Sequence, residues 1–418
     1  MPKPTKTEFD LIVWGATGFT GRLVAEHLAR TQDTHRARWA LAGRDRSKLE
    51  QLRGSLGSLH PSCAELPILL GDARDAASLD ALVARTRVIL TTVGPYSRHG
   101  SELVAACARS GTDYCDLTGE VQWMRKMIDA HHAQARESGA RIVHTCGFDS
   151  IPSDLGVLML QEYMREQHGS HCDRVRLYVT KMRGGFSGGT VASALQTMDD
   201  VQADPSLRRV LGNPHGLDPE PGRSRPEERD PLGVRYNEEL SQWTGPFVMS
   251  AVNTRVVRRS NALLGHSWGR DFLYSEVSAY GPGPRGLLTA SSVTAGLGAF
   301  LALSSVPVLR RQLERRVLPA PGEGPSAEER ERGSFKMRLV GEGTSARSGR
   351  PVRLEGEVAA SGDPGYAATS RMLSEAALCL AFDDLPAQGG VLTPATSMGM
   401  RLVERLRRGG MTFDVKEP

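Results

Sequence analysis

Short apolar runs and helical stretches alternate six times in the first 150 residues. DLIVWG (Asp10–Gly15), RWALAGR (Arg38–Arg44), LPILLGD (Leu66–Asp72), RVILTTVGPY (Arg87–Tyr96), TDYCDLTGE and ARIVHTCGFDS (Ala140–Ser150) read as strands. Thr20–Arg30, RSKLEQLRGSL, DAASLDALVAR, GSELVAACARSG and a long stretch from Val121 to Ser138 read as helices. Such alternation fits a parallel sheet covered on both faces, and six strands match the doubly wound dinucleotide-binding order. The predicted fold class is therefore α/β, with an N-terminal Rossmann-type doubly wound parallel sheet over residues 1–150.

The first strand–helix turn carries Gly15-Ala16-Thr17-Gly18-Phe19-Thr20-Gly21, a GxxGxxG variant. Gly15 permits the tight turn, Gly18 lets the backbone approach a pyrophosphate, and Gly21 lets the helix pack on the sheet. Helix N–H groups and the helix dipole then face the anion. The cofactor-binding positions expected here are Gly15, Thr17, Gly18, Phe19, Thr20 and Gly21. The second strand ends in Gly43 and Arg44, where a guanidinium suits a ribose 2′-phosphate. That favours NADP(H). Asp45, one residue on, keeps NAD(H) as the alternative. Asp72 is placed at the adenine edge or at a helix cap. Thr92, Gly94 and Pro95 end the fourth strand beside the cofactor. Tyr96 either faces the nicotinamide or substrate, or is a half-buried aromatic.

With 418 residues the chain is too long for one ordinary core. It is 39% apolar and 24% charged, with a formal net charge of +4. Basic residues are dispersed and form no block interleaved with aromatics, which argues against nucleic acid. Cys63, Cys107, Cys115, Cys146, Cys172 and Cys379 form no CxxC pair or zinc-site spacing, so no metal site is expected. MPKPTKTEFD holds no signal-peptide core. A cytoplasmic protein with reduced thiols follows as the expectation.

HTCGFDSIPSDLGVLML (His144–Leu160) leads out of the first domain. Cys146 and Gly147 are expected near the cofactor. Asp149, Ser150 and Ser153 are polar groups at the sheet's C-terminal edge, where ligands bind. Ser150 or Ser153 equally suits a helix cap. RGGFSGGT places four glycines around Ser187 before a helix, either as an anion cradle or as a hinge. Leu211–Trp243, rich in Pro, Gly, Arg and Glu, reads as a long surface loop.

Leu287–Leu309 contains no charge, with Arg285 before it and Arg310, Arg311, Arg315 and Arg316 after it. Three readings are open: an apolar helix lining a lipid tunnel or touching a membrane surface, a buried helix, or a true span. Pro319–Gly333 reads as a polar linker. SFKMRLVGEG and VRLEGEVAAS have the period-two pattern of an antiparallel sheet. Tyr366–Asp384 reads as a helix, and MGMRLVERLRRGGMTFDV as another helix stopped by its Gly pair. The expected domains are 1–150, the nucleotide domain; 151–365, an α+β substrate domain on a mostly antiparallel sheet, with the apolar stretch 287–309; and 366–418, a C-terminal helical segment packing back on the first domain.

GATGFTG, LAGR, VGPY, YCDLTGE and CGFDSIPSDLG together resemble the saccharopine dehydrogenase-like oxidoreductases. SGDPGY, SEAALCLA and TPATSMG extend the resemblance, over nearly the whole chain, to the trans-acting enoyl reductase branch. That branch acts in pathways making long-chain polyketide lipids. The resemblance implies a Rossmann domain, a second α+β domain and NADP-type binding.

An NADPH-dependent reductase of an enoyl thioester, on a small-molecule or carrier-bound acyl substrate, is the leading reading. Catalytic candidates are Tyr96, Ser150 and Ser187, as donors to the enolate oxygen or the α-carbon. Two alternatives stay open. One is a saccharopine-type amino-acid dehydrogenase. The other is a non-catalytic NADP-binding protein at lipid surfaces. Peripheral membrane contact through 287–309 and a homodimer are both compatible with the leading reading.

Overall fold

A computed structural model describes residues 7–184, 188–220, 222, 225–306, 309–310, 312 and 324–418. The chain divides into two compact units. The first contains residues 1–151, 322–324 and 365–409; the second contains 152–321, 325–364 and 410–418.

The first unit is built on strands β1 (Phe9–Trp14), β2 (Trp39–Gly43), β3 (Ile68–Leu70), β4 (Thr86–Thr91), β5 (Asp113–Cys115) and β6 (Arg141–Val143). The order is the doubly wound 3-2-1-4-5-6, and every pair is parallel. All six β1 residues are buried, as a central strand covered on both faces requires. Asp45 and Asp75 cap the helices Arg46–Gly57 and Ala76–Val83 by accepting from Lys48 N and Ala77 N.

A seventh strand corrects the six-strand expectation. Gly390–Leu392 pairs in parallel with β6 and extends the sheet. His132 Nδ1 lies 3.2 Å from both the N and the O of Val391 and pins it there. The helix Thr369–Phe382 belongs to this unit too, against β1, β4, β5 and the helix Phe19–Arg30. Eleven of its fourteen residues are buried, so it lies inside the fold. Arg405 Nε and Nη2 grip Asp383 at 2.6 Å each and hold the helix Gly399–Arg408 beside it.

The second unit has its own sheet of β7 (Cys172–Arg183), β8 (Arg235–Asn237), β9 (Gln242–Pro246), β10 (Leu273–Ala279), β11 (Ser334–Thr344), β12 (Pro351–Ser361) and, after the first unit's β13 (Gly390–Leu392), β14 (Thr412–Lys416). The order is β14-β12-β11-β7-β10-β9-β8. Only β7–β10 is parallel among these pairs. Leu339, Leu354 and Val358 point to one face and are fully buried. Gly156 of the helix Ile151–His168 lies there, where an added Cβ would meet Leu339 and Val358 at 3.1 and 3.2 Å. The other face carries charge pairs, such as Lys336–Glu357 at 2.8 Å and Arg338–Glu355. That is the alternation of a half-solvated antiparallel sheet.

The helix Gly399–Arg408 stops at the Gly pair, Gly410 turns at φ 85°, and the residues beyond it form β14, which buries Phe413 completely. One further expectation is corrected in this unit. Leu211–Trp243 is not a plain surface loop. Asp218 and Glu228 are buried in it, with His215 Nδ1 2.7 Å from Asp218 and Arg255 3.0 Å from Asp230. Paired buried charges tie down a stretch whose composition alone reads as loop.

Candidate active site

The glycine turn follows β1 directly. Gly15 has φ 84°, and an added Cβ there would stand 2.4 Å from Val93 Cγ2. A Cβ on Gly21 would stand 2.2 Å from Gly15 O. Neither position tolerates a side chain. Gly18 differs: its Cβ would meet only Gly15 O, at 3.3 Å, and otherwise point into open space. That opening, in front of a helix N-terminus with no side-chain cap, is where a pyrophosphate approaches backbone. Thr17 and Thr20 are half-buried beside it. Thr92 is a buttress here: its Oγ1 donates to Gly15 O at 3.3 Å and its N donates to Trp14 O at 3.1 Å. Phe19 packs edge-on against Tyr366 with ring centroids 4.6 Å apart. These residues fit a dinucleotide.

At the tip of β2, Gly43 is buried and Arg44 is exposed. Among the described residues Arg44 pairs with no carboxylate. Asp45 is committed to its own helix, accepting from Lys48 N at 3.1 Å. The guanidinium, and not the acid, is therefore available to a ribose substituent. Asp72 does not cap the following helix, which Asp75 caps. Asp72 accepts from Arg74 N at 2.9 Å and from its guanidinium at 3.4 Å. The Arg74 N–H and guanidinium, with Arg44 beyond them, hold its carboxyl below the usual range.

Beyond β4, Gly94 and Pro95 join through a cis peptide bond. Tyr96 is buried, which corrects both of its expected placements. Its hydroxyl donates to Thr91 O at 3.3 Å and accepts from Leu117 N at 3.4 Å. Burial, with Asp116 nearby, pushes its pKa well above the ordinary value. Glu120 accepts from Tyr96 N and Ser97 N, both at 2.8 Å. Tyr96 thus holds the tips of β4 and β5 together and presents no donor to a ligand.

The loop after β6 is more tightly held. Asp116, fully buried, accepts from Tyr114 Oη at 2.9 Å, Thr118 N at 3.1 Å and Thr145 N at 3.2 Å. His144 Nδ1 lies 2.7 Å from the same carboxylate. Cys146 N donates to Asp116 O at 2.7 Å, and its thiol is buried with Sγ 3.5 Å from Val143 O. Gly147 faces Thr369, which would meet an added Cβ at 3.1 Å, and Phe148 N donates to Thr369 Oγ1 at 3.0 Å. Thr145 and Ser150 both take positive φ, 61° and 100°. Two such non-glycine residues in one short loop mark a backbone that its surroundings over-determine, a pattern that clusters at functional sites.

Within that loop, residues 144–150, only Asp149 is not fully buried. Burial pushes its carboxyl up to about 7, and among the described residues it has no hydrogen-bond partner. Ser150 is wholly buried and directly precedes the helix Ile151–His168. Ser187 lies outside the described residues. Sequence reasoning singled out Tyr96 and Ser150 and left Asp149 as one polar residue among three. Its signal was its place after the last strand of the alternation.

Residues 11–143 match the family described as the saccharopine dehydrogenase NADP binding domain. The chain is 41% identical over 421 residues to a trans-acting enoyl reductase of Mycobacterium tuberculosis, covering 98% of each chain. A second M. tuberculosis protein, provisionally given the same name, is 45% identical with 98% of each chain covered. The trans-acting enoyl reductase of Mycobacterium leprae is 40% identical. Among solved structures, apo saccharopine dehydrogenase (L-Glu forming) of Saccharomyces cerevisiae aligns with 98% of this chain and 100% of its own. At a TM-score of 0.54 and 12% identity, that likeness is one of fold. Relatives at this identity along the full length, with a nucleotide turn of the matching kind, place the chain in the trans-acting enoyl reductase family, on a saccharopine dehydrogenase-like fold.

Proposed function

We propose that the protein is an NADPH-dependent reductase of the carbon–carbon double bond in an α,β-unsaturated acyl thioester. The acyl chain would be presented on the carrier of another enzyme. The observation that carries this reading is full-length similarity to relatives of that name, joined to a nucleotide turn whose Gly18 opening and free Arg44 suit NADP(H). Gly15–Gly21 would hold the pyrophosphate and Arg44 the 2′-phosphate.

Bound NADPH supplies the hydride, which goes to the β-carbon. The chain must then protonate the α-carbon and support the thioester oxygen as charge develops on it. Asp149 is the group we assign to the proton. It is half-buried at the sheet's C-terminal edge, and it keeps its proton close to neutral pH. The Asp116 network and the Thr369 contact fix the loop that holds it. Ser150 acts in this reading as a positioning residue, through the backbone it constrains.

The test follows NADPH absorbance with an enoyl thioester and with its saturated counterpart. Oxidation only with the unsaturated compound is expected. Arg44→Ala should weaken NADPH binding about 10- to 100-fold, the worth of charge-assisted bonds to a phosphate, and leave NADH binding unchanged. NADPH binding without turnover of any enoyl thioester, together with turnover of an amino dicarboxylate, would replace this reading with the saccharopine-type one.

A further inference from the structure

The helix Gly283–Ser304 is 22 residues long and carries a single charge, Arg285 near its start. It is about 33 Å in length at 1.5 Å per residue. Gly286, Ala290, Thr294, Leu297, Phe300 and Ser304 recur every three or four residues and are its only buried or half-buried positions. This narrow stripe seats the helix on its own unit. An added Cβ on Gly286 would meet Gly281 O at 2.0 Å, and one on Gly245 would meet Thr294 Oγ1 at 3.0 Å.

Every other position is exposed. A surface helix in water places charged residues there. Here the exposed side offers Leu288 at 69% exposure, Leu301 at 47%, Val293 at 46% and Leu287 and Leu303 at 39%. Two hydroxyls turn back to the backbone: Thr289 Oγ1 donates to Arg285 O at 2.9 Å, and Ser305, just past the end, donates to Leu301 O at 2.8 Å. Back-bonding of that kind satisfies a hydroxyl without water.

We infer that this helix is a monotopic membrane contact, embedded lengthwise in one leaflet of an anionic phospholipid bilayer. Exposure runs round most of its circumference. A protein partner would cover one side, whereas lipid covers all of them. The ends are tied back to the same unit. Trp243 N donates to Gly281 O at 2.9 Å before the helix, and Arg310 Nη2 lies 3.0 Å from Asp199 Oδ2 after it. A helix held at both ends and along one stripe lies on a bilayer and does not cross it. Arg285, exposed near the start of the helix, supplies the attraction to anionic headgroups.

The full chain would be floated with vesicles of phosphatidylcholine alone and with vesicles containing phosphatidylglycerol. Flotation with the anionic vesicles, and less with phosphatidylcholine, is expected. The double variant Leu288→Glu, Leu301→Glu should float at least about tenfold less, given the cost of a charge in the apolar layer. Both side chains are exposed, and retained NADPH fluorescence would show that the first unit still folds. Wild-type protein left at the bottom of the gradient with both vesicles overturns the inference, as does a double variant that floats like wild type. Equal flotation with both vesicle types overturns the anionic requirement. A dimer by light scattering that the variant abolishes, without flotation, would make the occupant a second copy of this chain.

Discussion

Asp149 and Tyr96 show what one residue's surroundings do to its chemistry. Both lie at strand ends, where the sheet offers ligands their place, and from sequence the phenol is the more obvious donor. Packing reverses the order: Tyr96 spends its hydroxyl on Thr91 O and Leu117 N, while Asp149 keeps its carboxyl unpaired and half-buried. Burial is a property of the assembled fold, so no spacing in the sequence carries it. Arg44 was legible, because its place at the tip of the second strand follows from the alternation alone. An acid raised from 3.8 to about 7 donates its proton below that value and has none to give above it. Enoyl turnover should therefore fall as pH rises through about 7. Asp149→Asn should cost about 10²- to 10⁴-fold in kcat and remove that limb of the pH profile. The same shift favours the folded state below the usual carboxyl range, and that contribution is lost as pH rises through about 7. The Asn variant should thus gain stability relative to wild type above pH 7, seen as a smaller loss of denaturation midpoint. A variant with wild-type rate and an unchanged pH limb would remove Asp149 from the reaction.

Among elements, place in the alternation decided what could be read. β1 to β6 stand where the strand–helix alternation puts them, although β3, β5 and β6 are three residues each. β13, equally short, lies outside that alternation; only its pairing with β6 makes it a strand. The helix Thr369–Phe382 was recognisable as a helix, but its burial, with Ser370 and Ser374 buried beside Met372 and Leu373, could be read only from the fold. The glycine turn was the most legible element, because its spacing is set by contacts shorter than a side chain permits. Gly21→Ala tests that directly. Its Cβ would fall 2.2 Å from Gly15 O and 2.8 Å from Thr92 Oγ1, so the turn or the helix must shift. Overpacking of this kind costs about 1–3 kcal/mol. NADPH binding should drop well beyond that stability loss, because the displaced backbone is what faces the pyrophosphate. Gly54→Ala is the control: an added Cβ at this exposed helix position meets nothing within 4 Å. It should leave NADPH binding unchanged and raise stability by about 0.5–1 kcal/mol. Equal NADPH affinity in both variants would mean that the turn does not carry the nucleotide.

In the whole molecule the chain leaves the first unit at residue 151, builds most of the second, returns at 365 and ends in the second unit's sheet. Neither unit is one continuous piece of sequence, whereas a linear reading divides the molecule at 150 and 365. This path has a consequence for folding. A fragment ending at Ile151 lacks the helix Thr369–Phe382, whose fully buried Met372, Leu373, Ala376 and Ala377 fill the layer against β1, β4 and β5. It also lacks β13, so β6 becomes an open edge. Bare sheet face and unpaired edge together favour aggregation. The fragment should be insoluble or bind no NADPH, although it contains every predicted phosphate-binding residue. Phe148 N and Thr369 Oγ1 are 3.0 Å apart, so the two parts of the first unit meet at their junction. A single chain of residues 1–151 joined by a short flexible linker to 365–409 should therefore fold and recover NADPH fluorescence, with an affinity near that of the full chain. The comparison isolates the C-terminal part, since the nucleotide turn is the same in both. If the fragment ending at Ile151 bound NADPH as the full chain does, the returning helix would be dispensable and the first unit would be complete before the chain departs. Failure of the joined chain, with the full chain binding normally, would instead mean that the nucleotide turn depends on residues of the second unit.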